Sequence, residues 1–560
     1  MMPKVWVSNI EFNDGTKLTF DKNDIVVFVG ANNAGKSLSL KEIDKLLKTK
    51  STDVKIVNSI TTGTTGNEDE FEIFLEASSK KIISDGQTVM QGHGFSIELN
   101  HSKQIWQNLN NGLHNIYSLF VNLLTTEQRL KSANPPESIK LTSQPIQHFI
   151  HYLQKNDNLE QKFSNYFRQA FGTDLIVHRN AGREVPLYVG ERPIPKAGED
   201  RVSESYINDL EKLELLHLQG DGMRSYVGVL LNAFISNYSI LLIDEPEAFL
   251  HPPQARLLGK MLGKDSPNER QLFLATHSEH FLKGLLDAEI KNLKIIRLQR
   301  DGQINKVSVL NSEDINNIWN DSLLRHSNVL DGLFHSKVVI CESDSDSRFF
   351  SAILSAKYNN TSDIAPDILF LNCGGKHRIP TAIKALKKLN VPLKIITDFD
   401  VLNDVNPIKE IYQNLGGIWD EIENDWKLVK TEIEQKRPEF LSEDATKEIN
   451  DILRLTTERV LPKQKVSDIQ KVLKKVSAWT EAKEVGKTYV PRGNATQAFE
   501  RIQTKFKTVG FLILEVGELE SFVKSVGNHG PKWISEVLSK DLKYDPELET
   551  ARLFIDEIIN

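Results

Sequence analysis

Val338-Val339-Ile340-Cys341-Glu342-Ser343-Asp344-Ser345-Asp346-Ser347 sets an acidic residue directly after a short apolar run. Ile395-Ile396-Thr397-Asp398-Phe399-Asp400 repeats the arrangement with two aspartates one residue apart. Such short apolar runs with polar boundaries predict buried, parallel-type strands. Between them Ile379, Ala382, Ile383, Leu386 and Leu389 recur at helical spacing. The order strand, helix, strand is the unit from which parallel sheets are built. Carboxylates at neighbouring strand ends converge on one point, and hard Mg²⁺ or Mn²⁺ ions need oxygen ligands of that kind. Glu342, Asp398 and Asp400 are therefore expected to bind metal and to be catalytic, in a site of the type that cleaves phosphodiesters. Acidic residues also cap strand ends without any chemistry; the ordered set, not any single residue, argues for a site.

Upstream lies a complete nucleotide-binding apparatus. Gly30-Ala31-Asn32-Asn33-Ala34-Gly35-Lys36-Ser37 fits G-x-x-x-x-G-K-[ST], after the apolar run Ile25–Val29 and before a helical pattern at residues 38–47, which is the context the motif requires. The glycines let backbone N–H groups wrap phosphates, and the helix N-terminus adds partial positive charge. Asn32, Asn33 and Gly35 are thus expected at the ATP, with Lys36 on the β- and γ-phosphates and Ser37 on Mg²⁺. Ser239-Ile240-Leu241-Leu242-Ile243-Asp244-Glu245 reads as a strand ending in two carboxylates. Asp244 suits water-mediated Mg²⁺ binding, and Glu245 suits the base that polarises the attacking water. A further strand, Gln271–Ala275, runs into Thr276-His277-Ser278, and His277 is placed to sense the γ-phosphate.

A chain of 560 residues is too long for one core and predicts about two to four domains. Its balance of 39% apolar and 26% charged residues suits a globular protein. No apolar run of membrane-spanning length occurs, and the start, MMPKVWVSNIEF, does not read as a signal peptide. Cys341 and Cys373, both in or beside strands, read as buried free thiols, and a reducing cytoplasm is the expected location. The net charge of −7 argues against a surface coated with basic groups but not against a local basic groove.

The opening hairpin, GANNAGKS, LLIDEPEAFLHP and ATHS together resemble the ABC-type ATPases of the SMC and RecF kind. In those, two heads sandwich ATP, and the opposing head supplies a signature loop at a helix N-terminus, usually L-S-G-G-Q. Here Leu218-Gln219-Gly220-Asp221-Gly222-Met223-Arg224-Ser225 stands in that place. The resemblance implies that Gly220 and Gly222 approach ATP; a glycine-rich helix start is the alternative. No glutamine-loop residue is identifiable. The second half resembles a Toprim domain: Glu342 with Asp344 and Asp346 beside it, the turn Cys373-Gly374-Gly375-Lys376, then Asp398-Phe399-Asp400. Ser343 stands where many Toprim sequences have glycine. This resemblance adds Asp346 to the implied metal ligands. Leu514-Glu515-Val516-Gly517-Glu518-Leu519-Glu520 is similar to the late acidic element of Toprim nucleases, which implies Glu520 as a further ligand, with Glu518 as the other choice. Lys532, in Gly530-Pro531-Lys532-Trp533, is the candidate to neutralise the scissile phosphate.

An ABC-type head followed by Toprim resembles the OLD (overcoming lysogenization defect) family of nucleases, which includes the A subunit of Gabija systems and retron-associated effectors. The fold implied is α/β throughout. Residues 1–100 and 176–333 would form the ATPase, interrupted by a helical insertion at 101–175 with a role in dimerisation. Residues 334–406 and 506–560 would form Toprim, interrupted by a charged helical insertion at 407–505. Residues 180–201, rich in Gly, Pro and Arg, predict a long loop, and residues 311–333 a linker helix. The implied function is an ATP-hydrolysing, metal-dependent DNA endonuclease or nickase, gated by nucleotide state. It would act as a homodimer or larger assembly in phage defence, with a partner protein or an RNA or DNA element, and away from membranes. The alternative is a nucleotide-dependent sensor or scaffold that binds DNA or a partner without cutting. A topoisomerase- or primase-like enzyme fits less well, because no tyrosine-bearing cleavage domain or zinc-binding cysteine set is recognisable.

Overall fold

A computed structural model describes residues 2–560 apart from 50, 52, 85–86, 110–111, 143, 268, 311–318, 321–327, 389, 437–440, 457, 475–476 and 528. The chain divides into two compact units, Met1–Ser322 and Leu323–Asn560, against the expected boundary at 333. The expected linker helix at 311–333 lies largely outside the described residues; Val329–Phe334 is a 3₁₀ turn.

The first unit is organised by a six-stranded sheet. Its order is Ile304–Leu310, Leu293–Asp301, Ile25–Val29, Gln271–Ala275, Ile240–Asp244 and Val121–Leu124. All neighbours run parallel except the edge strand Ile304–Leu310. Every residue of Ile25–Val29 and Gln271–Ala275 is buried, which is why those strands read as apolar runs but for Gln271. Leu40, Ile43, Leu46 and Leu47 form the buried face of the helix Lys36–Thr49, and Lys4–Phe12 pairs antiparallel with Lys17–Thr19 and Val57–Thr65.

Two expectations fail here. Residues 101–175 are not solely a helical insertion: between the helices Leu99–Gln107 and Asp157–Phe171, the strand Val121–Leu124 pairs parallel with Ile240–Asp244 as the edge of the ATPase sheet. Four residues with two half-buried positions carry too little periodicity to stand out in a polar segment. Residues 180–201 are not one loop either. Leu187–Gly190 is the middle strand of an antiparallel sheet with Asp174–Val177 and Glu214–Leu215, and neighbouring Pro and Gly residues disguise it.

The second unit carries a four-stranded, wholly parallel sheet in the order Ile368–Asn372, Lys337–Cys341, Leu393–Thr397, Phe511–Ile513. Val339, Phe349, Phe350, Trp533 and Ile555 belong to its core. Between the third and fourth strands lie helices from Val405–Asn414 to Asn494–Thr508. The chain leaves Lys337–Cys341 for the neighbour on one side and returns on the other. The switch point therefore falls between Lys337–Cys341 and Leu393–Thr397, where open parallel sheets place their ligands, at the carboxyl ends of the strands. Glu342 and Asp398 are the residues that directly follow these two strands.

Candidate metal and nucleotide sites

At the switch point, Glu342, Asp398 and Asp400 each offer an oxygen, and all three oxygens lie within 4.8 Å of one another. The backbone enforces this. The Gly374-Gly375 turn, with both residues at positive φ, brings the Gly375 N–H to donate to the Glu342 carbonyl at 2.9 Å, and Phe399 N–H donates to the Gly517 carbonyl at 2.7 Å. Lys376 Nζ donates to Asp400 Oδ2 at 3.2 Å. Glu342 Oε2 and Asp400 Oδ1 are buried with no hydrogen-bond partner among the described residues. Burial, reinforced by the charges of Asp398 and Asp400, pushes Glu342 up to about 7, with Lys376 and Lys483 opposing. Burial likewise raises Asp398. Orphaned carboxylate oxygens held together against their own repulsion fit a divalent cation, which would satisfy both lone pairs and charge.

Glu518, Glu520 and His529 form a second such group within 4.8 Å. Burial and the charge of Glu520 raise Glu518 to about 7, and Gly530 N–H donates to Glu520 Oε1 at 2.9 Å. Both carboxylates named as alternatives by sequence thus belong to one cluster. Asp346 stands outside both groups. It closes a capping box with Ser343 at the start of the helix Asp344–Tyr358, its Oδ2 accepting from Ser343 N–H at 2.7 Å. Burial, then the charge of Asp398, pushes it up to about 6. Ser343, in place of glycine, is the hydroxyl that caps this helix. Lys532 is exposed in the first turn of the helix Pro531–Val537, without an ion pair to the carboxylates among the described residues.

Sequence reading missed Lys483. It lies on the helix Ala478–Val485, inside the charged helical stretch, and its Nζ is 2.9 Å from Asp398 Oδ2 and 3.9 Å from Glu518 Oε2. Nothing in the sequence distinguishes it from the other lysines of 407–505. Cys341 is buried and Cys373 partly buried, both as free thiols.

In the first unit, Gly35 at φ +98° allows the turn of the phosphate loop, and a Cβ there would lie 2.2 Å from Ile56 Cδ1. Asn33 also has positive φ, and Asn32 is exposed beside it. Lys36 Nζ donates to the Gly30 carbonyl at 2.8 Å and the Ala31 carbonyl at 3.1 Å. Burial lowers its pKa, against the pull of Glu245, Glu247 and Asp244. Burial raises the carboxyl of Asp244, against Ser37 beside it, which lowers it, and Asp244 Oδ1 is buried with no hydrogen-bond partner among the described residues. This pairing fits Mg²⁺ with a nucleotide. Glu245 sits at φ 49°, a conformation that L-residues rarely adopt, and His277 Nδ1 lies 3.4 Å from its Oε1.

Two further groups hold this arrangement and escaped sequence reading. Buried Glu247 accepts from Thr276 Oγ1 at 2.6 Å and from His277 N–H at 3.2 Å, which fixes the histidine segment to the Asp244 strand end. Fully buried Arg129 donates to the Asp244 carbonyl, to Ser225 Oγ at 3.1 Å and to Thr126 Oγ1 at 3.1 Å. It thereby ties the strand end to the helix Asp221–Phe234. Gly220 caps that helix, and a Cβ on Gly222 would lie 2.7 Å from the Phe249 carbonyl, so Gly222 has a packing reason to be glycine.

Residues 25–283 match the family described as "AAA domain, putative AbiEii toxin, Type IV TA system". Residues 333–400 match "Overcoming lysogenization defect protein-like, TOPRIM domain". An OLD nuclease of Thermus scotoductus is 26% identical over 177 residues, 29% of this chain. The chain spans 31% of that nuclease's length. An uncharacterized protein of Methanocaldococcus jannaschii is 35% identical over 97 residues, 17% of this chain and 84% of that protein. The SMC head bound to the C-winged helix domain of ScpA superposes with TM-score 0.34 at 13% identity, over 56% of this chain and 100% of its own. The SMC head domain from Thermotoga maritima gives TM-score 0.28 at 11% identity, over 55% of this chain and 99% of its own. The two family matches fall on the units that carry the nucleotide loop and the carboxylate cluster: the chain is an OLD-family protein, an α/β ATPase domain followed by an OLD-like Toprim domain.

Proposed function

We propose that this chain is an ATP-hydrolysing, metal-dependent DNA endonuclease or nickase whose cutting is gated by nucleotide state. The observation that carries the reading is the meeting of Glu342, Asp398 and Asp400 at the switch point, with two buried carboxylate oxygens left without hydrogen-bond partners among the described residues. A site that only bound DNA would gain nothing from concentrating negative charge against phosphates. Bound Mg²⁺ or Mn²⁺ supplies an activated water and charge for the leaving oxygen. Glu342, Asp398 and Asp400 would hold the ion, with Glu518 and Glu520 for a second. Lys376 fixes the Asp400 carboxylate, and the capping box of Asp346 and Ser343 fixes the start of the helix after Glu342.

On the ATPase side, Lys36 and Ser37 would meet the phosphates and Mg²⁺, with Asp244 beside Ser37. Glu245 would orient the attacking water, and His277, 3.4 Å from it, would report the γ-phosphate. Pairing of two heads across ATP, with Gly220 and Gly222 facing the partner's nucleotide, completes the proposal. A role in phage defence, with a partner from the same defence system, follows from the family resemblance. The protein is tested by incubating it with supercoiled plasmid in Mg²⁺ or Mn²⁺, with and without ATP, beside Asp398→Ala. Nicked or linear product that is lost in the variant and changes with ATP is expected. Intact plasmid in every lane, including lanes with extract from infected cells, would leave the binding-only scaffold as the reading.

A further inference from the structure

Lys483 bridges both carboxylate clusters, and the backbone around it is fastened to the loop that bears Glu518. Lys487 N–H donates to the Glu515 carbonyl at 2.9 Å, and Ser521 Oγ donates to the Glu484 carbonyl at 2.8 Å. A Cβ on Gly486 would lie 2.1 Å from the Glu515 carbonyl oxygen, and one on Gly517 would lie 2.1 Å from the Lys483 carbonyl oxygen. Both glycines have positive φ. Helix and loop therefore meet backbone to backbone, an approach that glycine alone permits. A solvated surface lysine needs no such anchorage. Three segments far apart in sequence, at Asp398, Lys483 and Glu518, are held so that one ammonium faces two acidic groups.

We propose that Lys483, delivered by the helical stretch 407–505, is the phosphate-holding residue of the Toprim site, and that it competes with divalent metal for Asp398. This rests on the nuclease reading above. An ammonium 2.9 Å from Asp398 Oδ2 and a divalent ion held by Asp398 draw on the same carboxylate, so each disfavours the other. When the ion takes the carboxylate, the four-carbon stem lets the ammonium move aside without moving its backbone. It then stands at the rim of the acidic cluster, where an incoming phosphodiester needs a cation that is not itself a metal ligand. Lys376 is not equivalent, since it pairs with Asp400 on the side of the Gly374-Gly375 turn.

The test uses the full chain carrying Lys483→Met, Lys483→Gln or Lys483→Arg. Thermal midpoint and ATP turnover identify the variants that fold as wild type does. Mn²⁺ affinity is read from the resonance of free Mn²⁺, and retention of a labelled DNA duplex is measured in Ca²⁺. Lys483→Met, or Lys483→Gln if the methionine variant is unstable, should bind Mn²⁺ more tightly and hold DNA roughly tenfold or more weakly. Lys483→Arg should recover most of the DNA retention. These opposite signs separate the role from a structural one, which would weaken both. Unchanged or weaker Mn²⁺ binding in a folded neutral variant, or undiminished DNA retention, would overturn the proposal. Absence of plasmid cleavage by the wild type would count against the nuclease reading alone, because the Mn²⁺ and DNA measurements still decide the role of Lys483.

Discussion

Glu342 is raised to about 7 by burial and by the charges of Asp398 and Asp400. Asp346, at about 6, and Glu518, at about 7, share the direction. A carboxyl with a folded pKa above its unfolded value of roughly 4 contributes stability below that value, and the contribution is lost as pH rises through the folded pKa. Without divalent metal, the thermal midpoint should therefore fall as pH rises from about 5 to about 8. Glu342→Gln should flatten part of that slope, and Mn²⁺ should restore the midpoint at the upper end. Metal affinity should climb over the same window, because ions displace protons; titration calorimetry in two buffers would count the protons released. In the other unit, Lys36→Ala should lower ATP turnover roughly 10²-fold or more with the fold intact, as a coupled phosphate-release assay would show. These residues were legible in the sequence because each sits at a fixed offset from a strand end. Glu247, Arg129 and Lys483 were not, since burial and pairing across long sequence separations leave no local pattern.

Among the elements, the segment 179–201 is held by charge. Glu160, buried on the helix Asp157–Phe171, accepts from Arg201 at 2.6 and 2.7 Å, from Arg192 at 3.0 Å and from Arg179 at 2.9 Å. Burial alone would raise its carboxyl, yet Arg201, Arg192 and Arg179 hold it down to about 2. Its contribution is thus present above the unfolded pKa and is lost only as pH falls through about 2. Glu160→Ala leaves three guanidinium groups facing one another and should cost about 3–5 kcal/mol, read as a lower denaturant midpoint with faster proteolysis in 179–201. A different device joins the helix Ala478–Val485 to the loop after the fourth Toprim strand. Gly486→Ala, at φ +68° and against the Glu515 carbonyl, should cost about 1–3 kcal/mol and reduce plasmid cleavage while sparing ATP turnover. Strong strands such as Ile25–Val29 declared themselves in the sequence. Val121–Leu124 and Leu187–Gly190 did not, because four residues each carry too little periodicity and Pro and Gly flank the second.

For the whole molecule, two candidate sites occupy two units of one chain, each with its own largely parallel sheet and its own carboxylates at strand ends. Asp398→Ala should abolish cutting and leave ATP turnover within about twofold, since Asp398 belongs to the second unit and supplies no group to the nucleotide loop of the first. Among the described residues no helix is long and apolar enough to cross a membrane. The most direct measurement is anomalous diffraction at the manganese edge from crystals grown or soaked in Mn²⁺. A peak bounded by Glu342, Asp398 and Asp400 that disappears in Asp398→Ala is expected. A site without anomalous density at saturating Mn²⁺, in crystals whose carboxylates are ordered, would contradict the metal-dependent reading.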